Sequence, residues 1–327
     1  MSAAEGGQSR EATERVVLRP AANLKESAGR RTAEAASRII TAALNDLEAK
    51  QGRPPLSASA DHAAPTLLHV IETDGERFIL ACDHERPVGF GAGLVRGAFS
   101  YCAGLFVLPE WQGQGLGRRL FEAALEGLPV VGGVTALTSN AANPISNGLY
   151  ARHGIYPQHA LLVLCGPSAA VAGSPSGHAR RVDAEPIEVA HLDELRGIDE
   201  VVLGFDRTPD HLWFLSRPEH PGWLFRRRGR AIGYAYLGGD GTEGAGSVGP
   251  IATLYSRDQA AVLRFVVGEL SARGQEQATV VVPGPNLVAQ RVLWEAGFAF
   301  EEATGLLCAS RPFARFDRYV LAGDSIM

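Results

Sequence analysis

The segment from Leu105 to Leu120, LFVLPEWQGQGLGRRL, constrains the fold of this chain more than any other. An apolar strand runs into Pro109, a glycine-rich turn follows, and an amphipathic helix begins with Arg118. The first N–H groups of a helix have no intrahelical partner and lie at the positive end of the helix dipole. Glycines let such a backbone close on a ligand without collisions from Cβ atoms. The segment therefore predicts a strand, loop and helix that together bind an anion such as a phosphate.

The spacing of this loop departs from two common nucleotide-binding motifs. It is not Gly-x-Gly-x-x-Gly, and it does not end in the Gly-Lys-Ser/Thr of a P-loop. Instead, Gln112, Gly115 and Gly117 stand as Gln-x-x-Gly-x-Gly after a strand that ends in Val-Leu-Pro. This arrangement resembles the acyl-CoA loop of the GCN5-related N-acetyltransferases, the GNAT family. Considered without the resemblance, the glycines fit a tight strand-to-helix turn that only relieves backbone crowding.

A second segment, NPISNGLYARHGIYP at Asn143–Pro157, follows a short predicted strand. Asn143 suits the cap of a helix, and Gly154 suits the residue just beyond its end. GNAT proteins carry an Asn here, and then a helix that ends in Leu-Tyr-x-x-x-Gly-Phe. This chain resembles that pattern, with Ile155 in the position of the aromatic residue. The resemblance implies that Tyr150 is the acid that protonates the departing CoA thiolate. Without the resemblance, Tyr150 is an ordinary half-buried core tyrosine.

The resemblance also implies how acetyl-CoA is held as co-substrate. The pyrophosphate is expected on the amides of the glycine loop, and the pantetheine arm is expected to pair with the strand edge before it. The Val107 N–H is expected to polarise the thioester carbonyl. The predicted cofactor-binding residues are Leu105, Phe106, Val107, Gln112, Gly113, Gln114, Gly115, Leu116, Gly117, Arg118, Arg119 and Asn143. No metal is expected, because the nine histidines and four cysteines form no ligand pair at a typical spacing.

The general base and the acceptor amine are less constrained. Four residues on predicted strands are candidates for the base: Glu72, His69, Tyr101 and Ser139. Each is otherwise a solvent-facing or hydrogen-bonded strand residue. The segment Phe205–Phe214, FDRTPDHLWF, can shape a substrate pocket, or it can form a capped helix that starts at Thr208 and packs into the local core.

Length and composition bound the class of protein. A chain of 327 residues with 46% hydrophobic and 20% charged residues can fill about two globular domains. The net charge of −5, and the lack of a basic run with interleaved aromatics, argue against a nucleic-acid partner. The densest basic cluster, Arg226–Arg230, is predicted as a solvated hairpin turn. No apolar stretch approaches the ~20 residues of a membrane helix, and the polar start lacks a signal-peptide core. We therefore expect a cytoplasmic protein, and the scarcity of lysine suggests a bacterial source.

The second half of the chain repeats the plan of the first. Asn286–Phe298 parallels Asn143–Ile155, with Trp294 in place of the tyrosine. Where the first half has its glycine loop, the second has Ile251–Ala260, IATLYSRDQA, which contains no glycine. Side chains there would crowd a phosphate, so we expect the second half to bind CoA poorly or not at all.

The expected fold is α+β, with two tandem GNAT-like domains that each have a mixed, mostly antiparallel central sheet flanked by helices. The predicted limits are a disordered tail at 1–15, a catalytic domain at 16–165, a linker at 166–178 and a degenerate domain at 179–327. The strands predicted in the first half are Val16–Pro20, Leu67–Thr73, Arg77–Asp83, Val88–Val95, Phe99–Val107, Val134–Thr138 and Ala160–Cys165. The first predicted helix is Ala33–Ala49.

The leading functional hypothesis is transfer of acetyl from acetyl-CoA to the primary amine of a small molecule, by direct attack in a ternary complex. A non-catalytic CoA-binding or scaffold protein of the same fold is one alternative. A protein lysine or N-terminal acetyltransferase is another. The expected assembly is a monomer or a homodimer, with no nucleic acid and no membrane as partner.

Overall fold

The computed structural model describes residues 15–55, 63–129, 131–173, 182–238, 246–300 and 305–323. Contacts divide the chain into two compact units, Met1–Leu137 and Thr138–Met327. Both units combine helices with mixed, mostly antiparallel strands, which confirms the α+β class. The predicted tail at 1–15 lies outside the described residues, apart from Arg15. None of the described helices combines the length and apolarity needed to cross a bilayer.

The first unit is a sheet covered by three helices. Its strands are β1 (Val17–Pro20), β2 (Phe78–Asp83), β3 (Arg86–Arg96), β4 (Phe99–Val107) and the first part of β5 (Val134–Asn140). They pair in that order, antiparallel as far as β4, whereas β4 and β5 are parallel. Its helices are α1 (Glu26–Lys50), α2 (Ala64–Asp74) and α3 (Leu116–Ala124). Helix α3 provides the crossover that parallel strands need.

One predicted strand is wrong, because Leu67–Thr73 lies within helix α2. The buried residues Leu67, Val70 and Ile71 recur at the three- and four-residue spacing of a helix face. Pro65 lies in the first turn, where proline is favoured. A short apolar run is compatible with either structure, and the length of this element, together with its packing against α1, decides for the helix.

The second unit is built around another sheet. Its strands are the end of β5, β6 (Tyr156–Pro167), β7 (Asp183–Pro186), β8 (Gly222–Arg227), β9 (Arg230–Leu237), β10 (Gly246–Thr253), β11 (Gln277–Pro283), β12 (Ala299–Phe300), β13 (Gly305–Ala309) and β14 (Tyr319–Val320). Its helices are α4 (Pro144–Arg152), α5 (Ser168–Gly173), α6 (Leu192–Val202), α7 (Thr208–Leu215), α8 (Ser256–Ala272) and α9 (Leu287–Glu295). The strand order is β13, β6, β11, β10, β9, β8, β7, while β12 pairs with β6 and β14 pairs with β10.

The duplication expected from the sequence appears in the topology. In the first half, β2, β3 and β4 form an antiparallel meander, and α3 leads to a parallel β5. In the second half, β8, β9 and β10 form the same meander, and α8 leads to a parallel β11. The meander, the crossover helix and the parallel pair therefore occur twice in the same order.

The predicted linker at 166–178 is partly structured. Gly166 and Pro167 end strand β6, and Ser168–Gly173 forms helix α5. The part from 174 to 178 lies outside the described residues. The compact units divide after Leu137 rather than at the linker, because β6 pairs along its length with β11 and β13 of the second unit. The two predicted domain limits differ from this division.

The basic cluster forms the predicted hairpin turn, in which Arg228 has a φ of 51°. Two of its arginines are not simply solvated, which corrects the prediction. Arg226 Nη1 lies 2.7 Å from Glu194 Oε2, and Arg227 pairs with the buried Asp258. These arginines hold the turn against two helices, while Arg228 remains exposed.

Candidate active site

Two glycines give the loop after β4 its shape. Gly113 has a φ of 74° and Gly115 a φ of 85°, both in the left-handed region. A Cβ atom added at either position would meet nothing within 4 Å, so the requirement for glycine is conformational. Gly115 is the N-cap residue of helix α3. The loop therefore ends at the start of that helix, as the sequence predicted.

The helix start offers several backbone donors. The first helical hydrogen bond runs from Arg119 N–H to Gly115 O at 3.2 Å. The N–H groups of Leu116, Gly117 and Arg118 precede that bond and have no acceptor within the helix. Leu116 is itself buried in the core cluster of the first unit, and this burial fixes the position of the helix start.

Helix α3 lies very close to strand β3. A Cβ atom on Gly91 would lie 2.8 Å from Leu120 O, and one on Gly93 would lie 2.5 Å from Ala124 O. Because residues two apart share one face of a strand, these glycines form a flat track under the helix. A Cβ atom on Gly117 would lie 4.0 Å from Val107 Cγ2, so the beginning of α3 lies next to the end of β4.

The two glutamines of the loop act as braces. Gln112 Nε2 donates to Val107 O at 2.9 Å, and Gln114 Nε2 donates to Glu110 O at 3.0 Å. Their side chains therefore stabilise the loop through preceding carbonyl groups. A ligand would then contact the backbone of the loop rather than these two amides.

The two predicted arginines differ in their surroundings. Arg119 Nη2 donates to Val16 O at 3.1 Å, which ties this side chain to the beginning of the sheet. The side chain of Arg118 is 65% exposed, and its Nε lies 3.9 Å from Glu122 Oε1. Such an exposed pair is weak, so Arg118 is the better placed of the two to turn toward an anion.

The second half of strand β4 has one backbone edge with no strand neighbour among the described residues. Its register with β3 shifts so that Ala103 is an extra, bulged residue. Pairing with β5 ends at Cys102 and Leu137, and beyond that point β4 pairs, within the described ranges, with β3 alone. A bulge bends its strand and increases the local twist, which opens the sheet at this point.

The orientation of Val107 follows from its neighbour. Leu108 N–H donates to Val88 O of β3 at 2.9 Å. Because backbone groups alternate in direction along an antiparallel strand, the N–H and C=O of Val107 face away from β3. The carbonyl already accepts from Gln112. The Val107 N–H is thus directed away from β3, and its role toward a thioester stays a prediction.

The residues of the second signature lie in the second compact unit. Asn143 caps helix α4, and its Oδ1 accepts from Ser146 N–H at 3.2 Å. Gly154 has a φ of 75° just beyond the helix. Tyr150 is 6% exposed, and its carbonyl accepts from Ile155 N–H at 3.1 Å. The predicted cap and helix end are therefore confirmed, whereas the roles of Asn143 and Tyr150 toward CoA stay predictions.

The four candidate bases have different environments. Glu72 and His69 lie on helix α2 rather than on a strand, with Glu72 exposed and His69 buried. Tyr101 is fully buried in β4. Ser139 Oγ donates to Asn147 Oδ1 at 2.7 Å. None of the four has a geometry that identifies it as the base.

The corresponding helix start in the second half is closed by its own side chains. The N-cap Tyr255 is extended, with φ −138° and ψ 131°. Asp258 lies buried in the first turn of α8 and pairs with Arg227. Gln259 Oε1 accepts from Thr253 Oγ1 at 2.7 Å. A carboxylate therefore stands where the first half offers donors for an anion.

The end of the duplicated signature is preserved more fully. Asn286 caps helix α9, and its Oδ1 accepts from Ala289 N–H at 3.1 Å. Gly297 has a φ of 81°, like Gly154 in the first half. Trp294 differs from Tyr150, because it is 46% exposed.

The segment Phe205–Phe214 forms helix α7 from Thr208, in agreement with one of its two interpretations. Its polar side chains are buried in the second unit. His211 Nε2 lies 2.8 Å from Asp199 Oδ2, and His211 Nδ1 lies 2.9 Å from Tyr236 OH. The sequence did not reveal this cluster, because its members come from separate elements. Among the described residues, no group of three or more His, Cys, Asp or Glu side chains could hold a metal ion.

Comparisons with known proteins agree with this geometry. Residues 42–155, which contain both the glycine loop and the signature at Asn143–Ile155, match the acetyltransferase (GNAT) family. A candidate acetyltransferase from Pyrococcus horikoshii superposes with a TM-score of 0.68 at 15% identity, covering 95% of this chain and 96% of that one. No curated protein matches the sequence.

Two further solved structures cover both chains almost completely. A GCN5-related N-acetyltransferase from Sphaerobacter thermophilus has a TM-score of 0.59 at 18% identity, covering 93% of this chain and 99% of that one. A tandem GNAT protein from the clavulanic acid biosynthesis pathway has a TM-score of 0.58 at 13% identity, covering 91% and 98%. Residues 42–155 thus match the GNAT acetyltransferase family, and the whole chain has the fold of solved GCN5-related N-acetyltransferases, including a tandem member.

Proposed function

We propose that this chain is an acyl-CoA-dependent N-acetyltransferase that transfers acetyl from acetyl-CoA to the primary amine of a small molecule. The observation that carries the proposal is the pair of left-handed glycines, Gly113 and Gly115, before the first N–H groups of helix α3, which have no acceptor within the helix. The GNAT family uses acetyl-CoA, and the matched range contains this loop.

The cofactor contacts follow from the loop and from the open edge of β4. The pyrophosphate accepts hydrogen bonds from the N–H groups of Leu116, Gly117 and Arg118, and the Arg118 side chain adds positive charge. The pantetheine arm runs along Leu105–Val107 as an additional strand. Gln112 donates to the Val107 carbonyl oxygen. The Val107 N–H faces the same edge, and we assign it to the thioester oxygen.

The transfer itself is a direct attack in a ternary complex. The neutral amine nitrogen attacks the thioester carbonyl carbon. The carbonyl oxygen becomes negative and accepts a hydrogen bond from the Val107 N–H. The C–S bond then breaks, the nitrogen gives its extra proton to water and keeps the acetyl group as an amide, and the CoA sulfur takes a proton. We assign Tyr150 as the donor of that proton.

The two halves of the chain have different roles. The first half, 16–165, carries the cofactor loop and is the catalytic domain. The second half, 179–327, is the degenerate copy, because Asp258 and Gln259 fill the start of its helix α8. We propose that the protein works in the cytoplasm, as a monomer or homodimer, without nucleic acid or membrane as partner.

The test is a calorimetric titration of acetyl-CoA into the full chain and into two matched variants. Gly115→Glu introduces a side chain and a negative charge into the loop, and we expect it to abolish binding. Gly97→Glu places the same change at a left-handed glycine in the turn before β4, at the opposite end of that strand. We expect Gly97→Glu to keep the wild-type affinity.

Unchanged affinity in a folded Gly115→Glu variant would overturn the assignment of the loop. Binding of acetyl-CoA without acetyl transfer to any amine in a panel of small amines, peptide lysines and peptide N-termini would instead support a non-catalytic CoA-binding protein. Transfer to peptides alone would redirect the proposal to a protein acetyltransferase.

A further inference from the structure

Strands β10 and β11 of the second unit pair only at their beginnings. Their parallel ladder runs from Gly246 with Ala278 to Val248 with Val280. The register of β10 with β9 then shifts between Val248 and Ile251. Gly249 and Pro250 form the irregularity, and beyond it β10 continues to pair with β9. A bulge of this kind bends the strand and separates it from its other neighbour.

Strand β14 of the same chain lies in the gap that results. Tyr319 and Val320 pair antiparallel with Ala252 and Ile251 of β10. On the other side, Leu321 N–H donates to the carbonyl oxygen of Val281 in β11 at 3.2 Å. The short segment therefore satisfies backbone groups of both strands that the bulge has parted.

Residues Tyr319–Leu321 are in close contact with the surrounding backbone and side chains. A Cβ atom on Gly249 would lie 2.0 Å from Leu321 O, so only glycine allows the approach. The buried Asn286, which caps helix α9, donates from Nδ2 to Tyr319 O at 3.0 Å. Arg207 donates to the Tyr319 hydroxyl in the interior of the second unit. Val320 has no exposed surface.

The first unit has the same bulge but a different outcome. In β4 the bulge at Ala103 leaves the edge of Leu105–Val107 without a recorded strand neighbour. In β10 the equivalent edge is covered by peptide. The duplicated element thus has a parted edge in both copies, and in the second copy a strand of the same chain pairs with it.

We propose that the gap between β10 and β11 is a peptide-binding slot, which takes an extended segment by strand addition and which β14 of this chain occupies. The ligand class is a short apolar peptide with a tyrosine whose hydroxyl reaches Arg207. The carboxamide of Asn286 and the glycine at 249 are the selective features of the slot. This proposal does not rest on acetyl transfer by the first unit.

The slot can be tested by cutting the chain after it has folded. A protease recognition sequence is inserted between Arg311 and Pro312, which are both exposed, and the purified full chain is then cleaved. We expect the fragment from Pro312 onward to stay bound in native mass spectrometry. A labelled peptide with the sequence of Arg315–Gly323 should replace it over time.

Two control peptides make the test specific. Leu321→Pro in the labelled peptide removes the N–H that donates to Val281, and we expect it to weaken binding by ~100-fold. A scrambled peptide of the same composition should not bind. Equal affinity of the Leu321→Pro peptide would overturn the proposal. Displacement of the peptide by acetyl-CoA would also overturn it, because the gap would then be a cofactor slot.

The uncut chain gives an independent measurement if cleavage unfolds the second unit. We expect the Leu321 amide to exchange with solvent as slowly as the core amides of β11. Exchange at the rate of an exposed loop amide would mean that β14 is not held in the slot. Fragment release from a cut chain that keeps its circular dichroism, with no rebinding of the peptide, would have the same meaning.

Discussion

Residues of the same type have different structural roles in this chain, because their surroundings differ. Gly115 is required for a left-handed backbone in open space, whereas Gly249 is required because Leu321 O approaches too closely for a Cβ atom. Asn143 and Asn286 both cap helices, yet only Asn286 also donates to a neighbouring strand. The same sequence motif therefore makes different contacts in the two copies.

At Tyr150 the predicted effect of a substitution is on turnover alone. Tyr150→Phe removes the proposed proton donor and keeps the ring that fills its buried position. We expect turnover to fall by ~10²-fold, with the affinity for acetyl-CoA little changed. Steady-state kinetics and calorimetry on the same samples measure the two effects.

The matched control for this substitution is Tyr156→Phe, which removes the hydroxyl of a tyrosine that is 54% exposed at the start of β6. It should behave as wild type. If Tyr150→Phe also behaves as wild type, the sulfur is protonated by water or by another group.

His220 predicts a pH dependence of stability. Burial lowers its pKa below the ordinary 6.5, against a smaller opposing effect of the hydrogen bond with Leu237 O. The neighbouring charges are those of Glu219 and Arg217. Because the unfolded chain binds a proton at this site more readily, the contribution of His220 is complete above pH 6.5 and is lost as the pH falls through its folded pKa.

We therefore expect the free energy of unfolding to fall as the pH drops below 6.5, and to fall less steeply in His220→Gln. Urea titrations at several pH values measure the slope. His84→Gln is the matched control, because the His84 side chain is 85% exposed. An identical slope for wild type and His220→Gln would show that other groups carry the pH dependence.

The individual elements differ in how they are held. Helix α3 is fixed by apolar burial and by its glycine track on β3, so its start is positioned before any ligand arrives. Strand β14 has only Tyr319 and Val320 in its ladder with β10, and it depends on contacts with β11, Asn286 and Arg207. A short strand held from several sides is sensitive to any one of those contacts.

This sensitivity predicts the effect of Gly249→Ala. The added methyl group collides with Leu321 O, and we expect a loss of about 3 kcal/mol in the free energy of unfolding. Gly274→Ala is the matched control, because Gly274 has a φ of 83° and open space around it. Its loss should be about 1 kcal/mol, from backbone strain alone. Equal losses in urea titrations would mean that β14 does not press on Gly249.

At the scale of the whole molecule, the two halves share one strand and helix order but differ at the strand edge beyond the bulge and at the start of the crossover helix. The first version keeps the glycine loop and an open strand edge. The second covers its strand edge with β14 and fills its helix start with Asp258. A single acetyl-CoA per chain is the stoichiometry that this asymmetry supports.

Hydrogen exchange with and without acetyl-CoA tests the asymmetry. We expect the ligand to slow amide exchange in residues 104–119 and to leave residues 251–260 unchanged. At 100 times its dissociation constant, acetyl-CoA should stabilise the folded chain by ~2.7 kcal/mol. Protection of 251–260 by direct binding, or two ligands per chain in native mass spectrometry, would contradict the asymmetric function.

Local patterns allowed much of this structure to be predicted. Strand β4 at Phe99–Val107 has the predicted limits, because alternation is a property of the nearby sequence. The glycine spacing likewise predicted the loop between this strand and helix α3. The bulge at Ala103, the tie of Arg119 to Val16 and the place of β14 depend on distant strands, so no local pattern reveals them.

The covered slot has a consequence for synthesis of the chain. Strands β10 and β11 are made well before Tyr319, so their parted edges stay open on the growing polypeptide until β14 emerges. Open strand edges are sites at which other chains pair and aggregate. An mRNA that stops just before the codon for Tyr319 would therefore yield a product that exposes both edges to neighbouring chains.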